Sequence, residues 1–152
     1  EEYFPLKFGV VGKLRAFLAE DDKDGNIRRP DDLSLGGSDY LRGYPGSVRY
    51  GDSLRAFSFH LSRPIEFRFP FLKQWIQKEI LVGEIFWERG DVKSSERAFD
   101  FLEDSGFEMR GKALLLKRIP VTARWGTAWP RGGGKRHDYW SVDFSSISSL
   151  IH

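Results

Sequence analysis

Leu54-Arg55-Ala56-Phe57-Ser58-Phe59-His60-Leu61-Ser62-Arg63-Pro64-Ile65-Glu66-Phe67-Arg68-Phe69 is the stretch that decides the fold. Its odd positions carry Phe57, Phe59, Leu61, Ile65, Phe67 and Phe69, with Arg63 among them; its even positions carry Ser58, His60, Ser62, Pro64, Glu66 and Arg68. A period of two sends successive side chains to opposite faces, so this is a β-strand with one greasy and one polar face. The run, about 53–69, is longer than the roughly 3–10 residues usual for soluble strands. A tilted membrane strand needs about 9–11 residues in lipid and protrudes at its ends. Pro64 lacks an N–H, which predicts a bend or bulge at that point.

The same period recurs on both sides. Phe8, Val10, Gly12, Leu14, Ala16 and Leu18 oppose Lys7, Lys13 and Arg15, which predicts a first strand over 7–20. Further strands are expected over 80–88, 106–116, 121–129 and 139–149, six in all with 53–69. Residues 70–79 and 117–120 read as short joints, and 21–52, 89–105 and 130–137 as longer polar loops, with a short helix expected over 94–102. Short turns alternating with long loops are the asymmetry of outer-membrane barrels. Trp87, Trp125, Trp129, Tyr139 and Trp140 fall near the expected strand ends, where a membrane interface favours amphipathic rings. Lys13, Arg15, Glu84, Glu108, Arg110, Lys112, Arg124 and Asp143 share the polar parity. The fold expected is all-β and antiparallel, a transmembrane β-barrel. A soluble β-sandwich with one wet face would produce the same alternation.

Composition narrows the function. The chain has 152 residues and no cysteine, which excludes a disulfide framework and a thiolate metal site. A net charge of +2 is too small to call for nucleic acid as a partner. No stretch reaches the roughly 20 apolar residues of a membrane helix, which leaves a barrel open. The opening Glu1-Glu2-Tyr3-Phe4-Pro5 has no signal-peptide character and predicts a fragment or processed product. Glu20 to Asp31 follows the acidic spacing of a calcium loop, but flanking helices are absent and Arg28, Arg29 and Pro30 intrude, so an ordinary solvated turn is expected. His60, His137 and His152 are scattered along the sequence and suggest no site, and Gly132-Gly133-Gly134-Lys135 has no surrounding phosphate-loop pattern. No serine lies in a nucleophile elbow. No enzyme, metal or cofactor is assigned.

The sharpest local pattern lies in the loop over 29–52: Leu35-Gly36-Gly37-Ser38-Asp39-Tyr40-Leu41-Arg42-Gly43-Tyr44-Pro45-Gly46, then Tyr50-Gly51-Asp52. Glycines and a proline around one arginine predict a compact, specifically turned loop. This stretch resembles the inward-folded loop of the bacterial surface-antigen superfamily, the barrels of BamA-like assembly proteins, two-partner secretion transporters and organellar import pores. That family carries Gly-Gly and then an Arg-Gly-Tyr/Phe tip before the twelfth of sixteen strands. Phe86-Trp87-Glu88-Arg89-Gly90 is similar to its Phe-x-Asp-x-Gly motif, with Glu for Asp, and Ser105-Gly106-Phe107-Glu108-Met109-Arg110 to its next glycine-rich strand start. Ile119-Pro120 and Trp129-Pro130 echo a proline-delimited pair of strands near the end.

The resemblance covers 1–152 as the C-terminal part of a barrel, about six strands of sixteen, located in a bacterial outer membrane or an organelle's outer envelope as a multi-pass protein. It implies outer-membrane protein assembly or polypeptide translocation, with unfolded or nascent outer-membrane proteins or a secreted polypeptide as substrate. Other partners implied are the lipid bilayer, accessory complex subunits, and barrel strands from upstream or from another subunit. It also implies a structural latch of Arg42, Gly43, Tyr44, Glu88 and Phe86. Arg42 pairs first with Glu88, which has the polar parity; Glu84, Glu108 and Asp143 are further partners. Gly43 lets the tip turn, and Tyr44 stacks on Phe86 or the barrel wall. The serine-rich end, Ser145-Ser146 and Ser148-Ser149, lacks the aromatic terminus common in bacterial barrels. Two other functions fit the alternation: a passive or structural outer-membrane pore, and a soluble β-sandwich used for binding.

Overall fold

The computed structural model describes residues 1–20, 33–37, 40–44, 46, 48–65, 76–93, 100–115 and 119–144. The strands are β1 (Glu2–Pro5), β2 (Val11–Glu20), β3 (Leu33–Leu35), β4 (Arg49–Gly51), β5 (Ser53–Ile65), β6 (Ile76–Lys93), β7 (Leu102–Leu115), β8 (Ile119–Pro130) and β9 (His137–Phe144). Seven of them form one antiparallel sheet in the order β1-β2-β5-β6-β7-β8-β9. With the β3–β4 hairpin set aside, each strand pairs with its neighbour in sequence, as short connections between antiparallel strands require. The fold is therefore all-β, as the alternation predicts.

Several boundaries differ from those expectations, each because pairing rather than local sequence sets a strand's end. The first strand starts at Val11, since Lys7–Gly9 form a 3-10 turn in which Phe8 (φ 62°) and Gly9 (φ 71°) are left-handed. That turn folds Glu2–Pro5 back onto β2, making seven strands in the sheet rather than six. Residues 76–79 and 89–93, read as joint and loop, belong to the 18-residue β6, and 102–105 to β7. Gly90 and Val92 are held in β6 by pairing with Ala56 and Leu54. The hairpin β3–β4 lies inside what reads as one loop. Leu102, at the end of the expected helix, is strand, and 94–99 lie outside the described residues. So do 66–69, 145–149, most of the calcium-like segment and His152. Pro64 makes no bulge: the β5–β6 register runs unbroken through Pro64↔Val82. Its missing donor is tolerated because β2 pairing ends at Ser62, so among the described residues Pro64 has a strand on one side only. The irregularity lies instead between Gln77 and Ile80 in the β6–β7 ladder.

Polarity across the sheet is the reverse of a soluble domain's. One face exposes Leu14, Leu18, Phe57, Ile85, Trp125, Trp129, Trp140 and Phe144, with Leu18 at 67% and Trp140 at 77%. The other face buries Arg42, His60, Glu88, Asp104 and Glu108 under the segment between β2 and β5. The buried apolar cluster, Leu35, Leu41, Leu54, Ala56 and Val92, lies between that segment and the polar face, where Tyr40, Tyr44 and Leu102 pack against it. Burying charge while exposing aromatics is unfavourable in water, where the driving force is removal of apolar surface.

Candidate functional site

The tip of the segment between β3 and β4 is built from short-range bonds. Tyr44 N–H donates to the Leu41 carbonyl and Gly37 N–H to the Tyr44 carbonyl, both 3.0 Å, and Val48 N–H closes the stem on Leu35 at 2.8 Å. Gly36 has φ 119°, and a Cβ there would lie 2.1 Å from the Gly46 carbonyl oxygen, so glycine is required. The left-handed residue that turns the tip is Leu41 (φ 59°), not Gly43. Gly43 serves close approach: its N–H donates to Asp104 Oδ2, and an added Cβ would sit 2.9 Å from the Asp104 side chain and 3.2 Å from Pro130 N. Gly43→Ala is expected to lift the tip from β7 and β8 and lower stability by about 1–3 kcal/mol, read as a lower urea midpoint with an unchanged m-value.

These turns aim Arg42 into the sheet. Its main-chain N–H donates to Glu88 Oε2 and its Nε to Glu88 Oε1, each at 3.0 Å. Nη1 donates to Glu108 Oε2 at 2.8 Å and to Glu84 Oε1 at 3.2 Å. Nη2 lies 3.2 Å from His60 Nδ1, and the guanidinium carbon lies 3.5 Å from the centroid of the Phe86 ring. A planar five-donor fork fills such a site as no other side chain does. Burial disfavours the guanidinium's charge, but Glu88 foremost, with Tyr139 and Glu108, together outweigh it and raise the pKa.

Of the residues singled out in sequence, Arg42, Gly43, Glu88, Phe86, Glu84 and Glu108 converge here. Asp143 does not: it has the same parity but sits opposite Thr122, and its contact is with Ser141 Oγ at 3.5 Å. Tyr44 does not stack on Phe86, whose face Arg42 occupies. Its hydroxyl reaches the carbonyls of Glu103 (3.3 Å) and Arg131 (3.4 Å), and burial followed by the Asp104 charge pushes its pKa up.

Further contacts of Glu108, and the members Tyr139, His60 and His137, escaped the sequence reading. Glu108, whose side chain is fully buried, accepts from Arg110 Nη2 (2.6 Å), Arg124 Nε (2.7 Å) and the Tyr139 hydroxyl (2.9 Å) as well as from Arg42. Tyr139 therefore belongs to the polar cluster and not to an aromatic belt. His60 and His137, far apart in sequence, both touch Arg42, the second donating from Nδ1 to its carbonyl at 2.8 Å. Parity was the signal available, since all of these lie on the polar face.

The stem is tied separately. Arg49 on β4 pairs with the buried Asp91 of β6 at 2.5 Å and with Asp100 Oδ2 at 3.1 Å. Arg15 on β2 donates to the Tyr40 hydroxyl at 2.9 Å.

Ser58 Oγ, His60 Nε2, His60 Nδ1 and Glu84 Oε1 stand in the hydrogen-bond order of a hydrolase triad, each step 2.9 Å. The surroundings oppose that chemistry. Ser58 is buried beneath the seated loop, and Glu84 Oε1 is shared with Arg42 Nη1, so both ends of the array are taken up by the clamp. What the arrangement does is hold a loop: one cation is clamped by carboxylates from two strands. No protein-family model matches this chain, and no curated protein or solved structure does.

Proposed function

We propose that the chain is the C-terminal part of a transmembrane β-barrel of surface-antigen type, working in outer-membrane protein assembly or polypeptide translocation, with the Arg42 loop latched inside the pore. The observation that carries this reading is the Arg42–Glu88 clamp, which joins the two motifs on which the resemblance rests. The reversed polarity of the sheet supports it: aromatics facing lipid cost nothing, and charges facing a wet, partly filled pore keep their partners. On the apolar face Arg55 and Arg63 bracket Phe57, Phe59 and Leu61 of β5, and Arg89 pairs with Glu103 beyond Trp87 at 3.5 Å. Charges at the ends of an apolar band match the two interfaces of a bilayer. Bacterial single-chain barrels start at about eight strands. The edges β1 and β9 therefore call for further strands, from upstream in the polypeptide or from another subunit.

The full-length protein carrying this chain should be depleted in its host while folded β-barrel proteins and exported polypeptides are quantified. A fall in either class is expected. Unchanged levels together with measurable conductance would assign a passive pore instead. Membrane seating has a separate check in Trp87, Trp125, Trp129 and Trp140 on the apolar face. With the protein in bilayers, acyl chains brominated close to the headgroups are expected to quench most of the tryptophan emission. A soluble sandwich would leave it undimmed.

A further inference from the structure

We infer that the seated loop tip also holds the last strand, β9, in the sheet, and that His137 and Tyr139 are the positioning residues through which it does so. β9 pairs with β8 from Ala128↔His137 to Val121↔Phe144, and among the described residues it has a strand on that side only. The polar face of β9 carries His137, Tyr139, Ser141 and Asp143. The first two reach the latch. His137 Nδ1 donates to the Arg42 carbonyl at 2.8 Å, and the Tyr139 hydroxyl donates to Glu108 Oε2 at 2.9 Å, the same oxygen that accepts from Arg42 Nη1 and Arg124 Nε. Tyr139 also fills the space above Gly126, where a Cβ would lie 2.5 Å from its ring and hydroxyl, and the Arg124 guanidinium lies 5.3 Å from its ring centroid. Past Tyr139, the polar side-chain contact on this face, among the described residues, is the 3.5 Å approach of Ser141 to Asp143.

β9 is thus pinned at its start and lightly held towards its end. Two of its pins lead to the loop tip, one through the Arg42 backbone and one through the carboxylate that Arg42 helps to neutralise. When the tip lifts, His137 loses its acceptor and Glu108 loses a cation, so β9 keeps the β8 ladder and little else on that face. An edge strand held by one ladder frays and offers its open edge to another extended segment. Loop seating and edge-strand order are two readouts of one equilibrium. By reciprocity, the factor by which the loop protects β9 is the factor by which β9 protects the loop. The consequence for polypeptide handling at that edge rests on the barrel reading above; the coupling itself does not.

Amide hydrogen exchange on the full-length protein tests this. In Arg42→Ala, exchange over 137–144 is expected to accelerate on the order of tenfold or more, the loss of one to two buried hydrogen bonds, while the β6–β7 amides keep wild-type rates. His137→Ala with Tyr139→Phe is the second variant, which leaves the buried charges of the clamp in place. It is expected to speed exchange in β9 and, by the same factor, over 40–44. His137→Asn, which retains a donor near the Nδ1 position, restores most of the protection. A loop that exchanges freely over an unchanged β9, or equal acceleration in every strand, overturns the inference. If exchange behaves as described while depletion leaves all other envelope proteins unaffected, the coupling stands and the assembly or translocation reading fails.

Discussion

Arg42→Ala is expected to open the loop tip, a local cost of about 3–5 kcal/mol, because it strands carboxylates that have been taken out of water for this one cation. Glu88, with only 4% of its side chain exposed, loses two side-chain donors, and Glu84 and Glu108 lose one each. The stem remains attached through Arg49–Asp91 and the Leu35–Leu41–Val92 cluster, so the opening is local. Limited proteolysis should therefore cut near 40–46 in the variant under conditions that spare the wild type, with the strands intact. Arg42→Lys recovers little, since an ammonium on a flexible stem cannot serve Glu88 and Glu108 together while lying flat on Phe86. Glu88→Ala should produce the same local opening from the other side. A latch is the wrong description if both Arg42→Ala and Glu88→Ala keep the tip protected.

Glu108→Gln is expected to be as damaging, on the order of 3–5 kcal/mol, and to spread further. Arg110 and Arg124 are Cα partners directly opposite each other on β7 and β8, a like-charge pairing that disfavours a sheet. Glu108 makes it tolerable by accepting from both, and then from Arg42 and Tyr139 as well. An amide keeps the shape but removes the charge, leaving three guanidiniums around a neutral group. Glu84→Gln is the control: Glu84 is 12% exposed and gives Arg42 a single 3.2 Å contact, so a loss of about 1–2 kcal/mol is expected. Urea midpoints of the two variants measured side by side decide the matter. A larger loss for Glu84→Gln would remove Glu108 from the centre of the cluster.

These two variants also separate what each carboxylate is for. Glu88 holds the loop tip by main chain and side chain, whereas Glu108 joins the tip to β8 and β9. The motif spacing singles out the first. Nothing in the local sequence around Glu108 announces the second, because its role comes from strands that follow it.

By itself the sequence determined that the chain is all-β and, in the middle of the long strands, which face each side chain takes, since a period of two is a local property of extended backbone. It also determined the compact glycine-bounded tip and, through parity and motif together, the pairing of Arg42 with Glu88. Only the tertiary structure decided height along the strands. Parity assigns a face but not a row; rows come from register, and register comes from pairing between segments distant in the chain. So Glu108 and Asp143 look alike in the sequence, yet one lies beneath Arg42 and the other is two strands away beside Ser141. For the same reason the ends of β6 and β7, the folding back of β1 and the convergence of His60 and His137 on Arg42 were out of reach of the sequence. Of the two places expected for Tyr44 the Phe86 ring is not the one taken: the guanidinium, tied to three carboxylates at once, lies on that face, and the Tyr44 hydroxyl reaches the Glu103 and Arg131 carbonyls instead.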